Sequence, residues 1–270
     1  SPQFVPKMIA NIAGGHLSIR WGLKGPNQTV TSACASATDA IGMAMRLILA
    51  GDADAMVTGG TEASVTSLTI AGFANMRALS QANEIPEKAS RPFDMDRDGF
   101  VLGEGAGMLV IERESHAKQR GASILAELAG YGSTDDAFHI TQPSEGGTGA
   151  LRAMERAIND ASLNLNEIDY INAHGTSTPY NDKNESAAIK ALFGDHCKNL
   201  KVSSTKSMTG HLLGAAGGIE AVASVKSILE QTLPPTINYD TPDPECNLDY
   251  VPNFAQSCDV DAILSNTFGF

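Results

Sequence analysis

Cys34 stands among small residues, directly before a stretch with the apolar spacing of a buried helix. The segment from Val30 to Gly51 begins with residues suited to the end of a strand. Apolar residues then recur at i, i+3, i+4 and i+7, namely Ile41, Ala44, Met45 and Ile48. We therefore predict a strand-to-helix turn with Cys34 near the helix N-terminus, where N–H groups and the helix dipole lower a thiol pKa. From this turn alone, a catalytic nucleophile and a buried core cysteine fit equally well.

Two histidines and a lysine occupy comparable places further along the chain. His174 follows a predicted strand at 169–173 and opens the segment HGTSTP, while Lys206 and His211 follow a predicted strand at 201–203 in the segment KSMTGH. Glycine and hydroxyl residues around them leave room for a substrate. Ligands of parallel α/β proteins bind beyond the carboxyl ends of the strands, so we expect these residues to converge with Cys34.

The elements that must position these side chains alternate between helices and strands, which predicts an α/β fold with parallel sheets and helical cover. The units that start at 30–32 and 202–204 match as strand, small-residue turn and helix, which indicates an internal duplication. A further strand is predicted over 124–131. The glycines of the segment GEGAG at 103–107 are interpreted as sites of close contact between layers, because no helix follows directly as in a phosphate-binding loop.

Composition narrows the function classes. The chain has 270 residues, of which 42% are hydrophobic and 19% charged, and its net charge is −12. This length suits one large domain or two half-domains, and the absence of a basic block argues against nucleic-acid binding. No apolar run approaches the roughly 20 residues of a membrane span, so we expect no membrane association. The four cysteines have neither CxxC nor zinc-type spacing, which predicts no metal centre and reduced thiols in a cytoplasmic protein.

Taken in order, the three polar segments resemble the active-site motifs of the β-ketoacyl-acyl carrier protein synthases. They read ACAS around Cys34, HGTSTP from His174, and KSMTGHLLGAAGG around His211. The last of these is closer to type II than to type I members of that family. The closing Gly269-Phe270 is similar to the start of the family's glycine-rich loop. The resemblance implies a thiolase-like fold of duplicated αβαβα layers, here incomplete at both ends, so that the chain is expected to be an internal portion of such a protein. The partial N-terminal half, with the nucleophile, is expected at 1–140, and the C-terminal half, with both histidines and the lysine, at 141–270.

The resemblance also implies an acyltransferase that performs a decarboxylating Claisen condensation in fatty-acid elongation. Cys34 would take the acyl group from a carrier-protein thioester. His174 and His211 would polarise the malonyl thioester carbonyl and help to expel carbon dioxide. Lys206 would tune the charge near His211, with Glu220 in the same supporting network.

Further residues receive roles only through this resemblance. The backbone N–H groups of Cys34 and Phe270 would form the oxyanion hole. Thr176 and Thr178 would bind the phosphopantetheine arm, which arrives on the carrier protein, so no cofactor is expected on this chain. The remaining two are Arg77, expected to contact the acyl carrier protein, and Phe4, expected to line the acyl pocket across the interface of a homodimer.

Other functions share parts of this pattern. A ketosynthase of a polyketide system would carry the same motifs. A non-catalytic subunit like the chain-length factors would lack the cysteine, and a thiolase would carry a second catalytic cysteine in place of one histidine. A cysteine hydrolase needs only one base with an orienting partner, and it would release the acyl group to water.

Overall fold

The computed structural model describes residues 1–269 and has the mixed α/β architecture that the sequence predicts. The α-helices are α1 Phe4–Met8, α2 Ile12–Trp21, α3 Ser36–Ala50, α4 Ser67–Asn75, α5 Glu114–Gln119, α6 Thr148–Asp160, α7 Pro179–Phe193, α8 Lys206–Thr209 and α9 Ala216–Glu230. The β-strands are β1 Ala55–Glu62, β2 Gly105–Glu112, β3 Tyr170–Asn172, β4 Lys201–Ser203, β5 Thr232–Leu233, β6 Gln256–Ser257 and β7 Ile263–Ser265. The division at residue 140 stays a prediction.

The three-stranded sheet of the C-terminal half is parallel, in the order β4–β3–β7, and β5 forms a separate antiparallel pair with β6. Ile171 in its central strand pairs with Val202 on one side and with Leu264 on the other. The main apolar core packs around these strands, with Ile189 of α7 among its members. The carboxyl ends of β3 and β4 therefore lie side by side, and the chain leaves both at the same edge of the sheet.

The strands of the first half pair differently from the prediction. β1 and β2 are antiparallel, with Ala55 opposite Glu112, so the predicted parallel arrangement is wrong for this pair. Their connection at 63–104 is α4 and a long loop rather than a crossover helix laid on the pair, while α3 and α9 provide the helical cover. The strand predicted over 124–131 is also wrong, because that segment pairs with no other strand in the described part of the chain.

Two glycines bring β2 and α9 into backbone contact. A Cβ atom on Gly107 would lie 2.2 Å from the carbonyl carbon of Gly218, and one on Gly218 would lie 2.4 Å from the Gly107 oxygen. The interpretation of this glycine-rich segment as a close contact between layers is therefore confirmed. The contact fixes α9 against the β1–β2 pair, beside α3.

Helix α3 is a core helix. An 18-residue window from Ala33 to Ala50 has a mean hydropathy of 1.3 and is apolar enough to cross a membrane. The helix itself has 15 residues, which at 1.5 Å per residue rise about 22 Å, less than the roughly 30 Å of a bilayer core. The apolar positions expected to face inward are buried, and they pack toward β1 and α9.

Candidate active site

Cys34 lies on a tight turn directly before α3, as predicted, and its side chain is buried. The strand expected to end at Val30 and Thr31 is wrong, because no strand precedes α3 in the described part of the chain. The Ala35 N–H donates to the Ser32 carbonyl at 3.0 Å, and Ala33 adopts a φ of +49°. This left-handed conformation costs a residue with a Cβ about 1–2 kcal/mol, so the surrounding structure must hold the turn in place. Gly269 packs against it, since a Cβ there would lie 2.7 Å from the Ser32 oxygen and 3.3 Å from the Cys34 nitrogen. Phe270, the expected second oxyanion donor, lies outside the described residues.

The ring of His211 contacts the sulfur of Cys34. Its Nε2 lies 3.1 Å from Sγ, and the Leu213 N–H donates to its Nδ1 at 3.2 Å. Because Nδ1 accepts this hydrogen bond, the proton of the neutral ring sits on Nε2. Burial and the nearby charge of Lys206 hold the pKa of His211 well below its usual value. The ring is therefore a neutral donor aimed at the sulfur and at any oxygen bound beside it.

His174 completes a three-residue cluster. Its ring centroid lies 5.3 Å from that of His211 at an interplanar angle of 85°, and the ring of Phe268 packs edge-on against it at 5.7 Å. Burial, then Lys206 and His211, keep the pKa of His174 well below its usual value. The predicted convergence of both histidines with Cys34 is confirmed, although His211 follows the one-turn helix α8 rather than β4 directly.

The cluster also has the spacing of a metal site. Ligand atoms of Cys34, His174 and His211 all lie within 4.8 Å of one another. A histidine that binds a metal through Nε2 normally donates its Nδ1 proton to an oxygen. At His211, a backbone N–H donates to Nδ1 instead, so Nε2 carries the proton and has no lone pair for a metal. At His211 the hydrogen bonding therefore fits an imidazole donor better than a metal ligand.

Lys206 forms a fully buried ion pair with Glu220 of α9. Burial raises the pKa of Glu220, and the charge of Lys206 opposes that shift. The hydroxyl of Ser90 donates to the Lys206 carbonyl at 2.7 Å. The predicted association of these two charged residues is therefore confirmed, and the ammonium group acts electrostatically on both histidines and on Cys34.

The thiol of Cys34 does not have the lowered pKa that its place at a helix start predicted. Burial raises the pKa to about 11, and this effect exceeds the opposing effects of the Lys206 charge and of the residue's own backbone N–H. The expectation is wrong because desolvation of a thiolate outweighs partial charges at a helix end. In the free protein Cys34 is a thiol that accepts a hydrogen bond from His211.

The remaining predicted residues divide into two groups. Thr176, Thr178 and Arg77 line the cavity that contains Cys34, and the two threonine hydroxyls are hydrogen-bonded to each other at 2.8 Å. Arg77 follows α4 with a φ of +55° and is exposed. Phe4 lies exposed in α1 and does not line this cavity, so its role stays a prediction.

Sequence reasoning missed a buried carboxylate behind His174. Glu185 accepts hydrogen bonds from the N–H groups of His174 and Gly175, both at 2.8 Å, and from the amide of Asn266 at 3.2 Å. Burial raises the pKa of Glu185 to about 7, against the effect of these hydrogen bonds. A signal was present, because Glu185 lies three residues before Ala188 on the inward face of α7.

Comparison with known proteins gives the family. Residues 1–117 match the N-terminal domain of β-ketoacyl synthases, and residues 125–240 match the C-terminal domain. A 3-oxoacyl-[acyl-carrier-protein] synthase 2 of Staphylococcus aureus is 56% identical over all 270 residues, which cover 67% of that protein. The chain belongs to the β-ketoacyl synthase family. A second synthase 2, from Synechocystis sp., is also 56% identical over the whole chain, which covers 65% of it.

Solved structures of β-ketoacyl synthases share this fold. A type II polyketide ketosynthase, in complex with its acyl-carrier protein and bound to the hexaketide, superposes with a TM-score of 0.98 at 41% identity, covering 100% of this chain and 66% of that chain. A β-ketoacyl synthase from Burkholderia phymatum has a TM-score of 0.91 at 40% identity, covering 96% of this chain and 62% of that chain. The predicted thiolase-like fold is therefore confirmed. The chain spans about two thirds of the length of the curated relatives that it matches.

Proposed function

We propose that this chain carries the active site of a β-ketoacyl-acyl carrier protein synthase, an acyltransferase of fatty-acid elongation. The observation that carries the proposal is the buried cluster in which Cys34, His174 and His211 meet next to Lys206. A sulfur nucleophile beside two neutral imidazole donors suits acyl transfer followed by decarboxylation. The names of the relatives that are 56% identical support the same reaction.

In the first half-reaction, the sulfur of Cys34 attacks the carbonyl carbon of an acyl thioester. A carbon–sulfur bond forms to Cys34, and the bond to the phosphopantetheine sulfur breaks. The departing thiolate takes up the proton that Cys34 gives up, so charge balances. The negative oxygen formed on the way faces the backbone N–H of Cys34, at the place where Gly269 passes.

In the second half-reaction, a malonyl thioester loses carbon dioxide beside the two histidines. The bond to the carboxylate carbon breaks, and its electron pair becomes an enolate whose oxygen lies against the two imidazole N–H groups. The enolate carbon then attacks the acyl carbon on Cys34, the carbon–sulfur bond breaks, and the departing thiolate takes up a proton from solvent to restore the Cys34 thiol. The histidines act as neutral donors, because burial and Lys206 oppose their protonation.

The proposed function also implies two protein partners, a carrier protein and a second copy of this chain. The polyketide ketosynthase described above was solved with its acyl-carrier protein, which supports a carrier protein as the partner here. We place its phosphopantetheine against Thr176 and Thr178, with Arg77 in the protein contact, and we expect no other cofactor. We further propose a cytoplasmic homodimer with Phe4 in its interface. Exposed apolar residues of α1 and α2, Phe4 and Trp21 among them, support the dimer.

A ketosynthase of a polyketide system is the second candidate, because of the TM-score of 0.98 to such an enzyme. The identity to that protein is 41%, against 56% to the two synthase 2 relatives, which favours fatty-acid elongation. Cys34 argues against a non-catalytic partner subunit, which would lack the nucleophile.

The direct test incubates a full-length protein containing residues 1–270 with an acyl-carrier thioester and malonyl-carrier protein. We expect Cys34 to become acylated first. One carbon dioxide should then be released for each 3-oxoacyl product, whose chain is otherwise saturated. Repeated extension without intermediate reduction would support the polyketide alternative. Release of free fatty acid to water, without condensation, would contradict the proposal in favour of a hydrolase.

A further inference from the structure

A hydrogen-bonded chain outside the Cys–His–His cluster ends on the turn that carries the nucleophile. The Ser32 hydroxyl donates to Oδ2 of Asp39 at 2.5 Å, and the Tyr131 hydroxyl donates to the other oxygen, Oδ1, of the same carboxylate. Asp39 lies in the first turn of α3, and its own N–H donates to the Ala35 carbonyl at 2.9 Å. Both carboxylate oxygens are therefore engaged, one of them by the residue two positions before Cys34.

The Tyr131 end of this hydrogen-bonded network is fixed by packing. The Tyr131 ring lies on α3 at Gly42, where a Cβ atom would come within 2.4 Å of ring carbons. The Tyr131 N–H donates to Asp160 at 2.9 Å, and Asp160 is paired with Arg46 of α3 at 2.8 Å. Burial and the hydrogen bond to Asp39 raise the pKa of Tyr131 to about 12, so its hydroxyl remains a donor at neutral pH.

Ser32 connects this hydrogen-bonded network to the turn that carries Cys34. It precedes Ala33, whose left-handed φ must be held by its neighbours, and its carbonyl oxygen is the atom nearest to a Cβ placed on Gly269. A shift of Ser32 would therefore displace both the Cys34 backbone N–H and Gly269, which packs beside it. The two histidines are held by other contacts, through Val101, Leu213 and Glu185.

We infer that Asp39 is a positioning residue for the nucleophile turn, acting through the Ser32 hydroxyl and held in place by Tyr131. The inference rests on the proposed function insofar as it assigns the effect to acyl transfer. It predicts that loss of the Ser32–Asp39 hydrogen bond impairs acylation of Cys34 and spares malonyl decarboxylation, which depends on the histidines.

The test compares Ser32→Ala, Asp39→Asn, the double variant and Tyr131→Phe in the full-length protein. The amide introduced by Asp39→Asn would offer one acceptor oxygen in place of two, and Tyr131→Phe keeps the ring against α3 while removing only its hydroxyl. Asp52→Asn, an exposed change just beyond the other end of the same helix, is the matched control. Acylation of Cys34 by acyl-carrier thioester, malonyl decarboxylation and amide hydrogen exchange of residues 30–38 are measured for each.

We expect acylation to fall about tenfold in Ser32→Ala and Asp39→Asn, as for one lost hydrogen bond, while decarboxylation is unchanged. The double variant should lose less acylation than the product of the two single losses, because both substitutions weaken the Ser32–Asp39 bond. Exchange at 30–38 should accelerate in these variants and not in the control. Tyr131→Phe should shift acylation and exchange in the same direction and by less, which keeps the test open if Asp39→Asn does not fold.

Unchanged exchange at 30–38 would overturn the inference, whatever the enzyme activity. Additive effects in the double variant would also overturn it, as would an equal fall in acylation and decarboxylation. A wild-type protein that accepts no acyl group would contradict the proposed function instead. In that case the hydrogen-exchange comparison still decides whether Asp39 holds the turn.

Discussion

Burial sets the protonation states of the candidate catalytic residues. His174 and His211 are almost completely enclosed and lie near the ammonium group of Lys206, so each pays a desolvation cost and a repulsion on gaining a proton. The same enclosure keeps the proton on the sulfur of Cys34. The resting site therefore holds a thiol and two neutral rings, which suits stabilisation of a developing negative oxygen.

The decarboxylation step should be insensitive to mild acid. Because the pKa of each histidine is lowered, the rings gain protons only well below pH 6.5, and their neutral form persists above that value. We expect the malonyl decarboxylation rate of a Cys34→Ala protein to stay level from pH 8 down to 6.5. Carbon dioxide release measured across this range checks it. A fall to about half of the pH 8 rate by pH 6.5 would show that a ring titrates at its ordinary pKa.

Alkylation of Cys34 should report its raised pKa. With a pKa of about 11, the thiolate fraction grows about tenfold for each pH unit between 7 and 9. The labelling rate of Cys34 with iodoacetamide should therefore climb without levelling over this range. Peptide mapping of labelled protein gives the rate for each cysteine separately. A plateau below pH 8 would instead support the thiolate that the helix start alone predicted.

At the scale of elements, β2 and α9 meet through their backbones at two glycines. Gly107 and Gly218 allow β2 to lie directly on α9, which carries Glu220 to Lys206. The position of α9 thus couples the first half of the chain to the charge that acts on both histidines. A change in the distance between β2 and α9 should lower the free energy of unfolding and should also disturb the Lys206–Glu220 ion pair.

Gly107→Ala should lower the free energy of unfolding by about 1–3 kcal/mol, since the added methyl meets backbone that cannot move aside. Urea unfolding of the full-length protein measures the change. Gly72→Ala is the matched control. It lies in α4 with open space at the Cβ position and should gain up to about 1 kcal/mol from helix propensity. Equal stability of the two variants would contradict the close contact.

Local sequence patterns predicted the elements that carry the candidate catalytic residues, but they did not predict which strands pair with each other. The apolar spacing after Cys34 predicted α3, because the buried face of a helix shows as a regular spacing of apolar residues within the helix's own sequence. The inward face of α7 held the signal for Glu185. By contrast, the antiparallel pairing of β1 with β2 and the unpaired segment 124–131 depend on residues distant in the chain. The contact of Tyr131 with Asp39 joins two segments whose local patterns are unrelated.

At the scale of the whole molecule, the proposed function requires this acidic chain to bind a carrier protein that is itself expected to be acidic. The net charge of −12 opposes such an encounter, so a local positive group at the cavity entrance should matter most. Arg77 is exposed and lines the cavity of Cys34. We therefore propose a docking role for Arg77, separate from the chemistry in the buried cluster.

Arg77→Glu should weaken acylation by acyl-carrier protein, and the defect should shrink as salt is raised. Acylation by a small acyl thioester without a carrier should remain unchanged, because the cluster itself is intact. Lys198→Glu, an exposed reversal outside the cavity, controls for net charge. An equal loss with both substrates, or an equal loss in the control, would count against docking at Arg77.

Under the proposed function, the sulfur and the imidazoles serve different half-reactions, and one measurement separates these two roles. Radiolabelled carbon dioxide release and mass-spectrometric acylation of Cys34 are followed side by side in full-length Cys34→Ala, His174→Ala and His211→Ala proteins. Cys34→Ala should lose acylation and condensation and still decarboxylate malonyl-carrier protein. Each histidine variant should still be acylated, while its carbon dioxide release falls about a hundredfold, as for the loss of one oxyanion donor. Decarboxylation at the wild-type rate in either histidine variant would contradict the account.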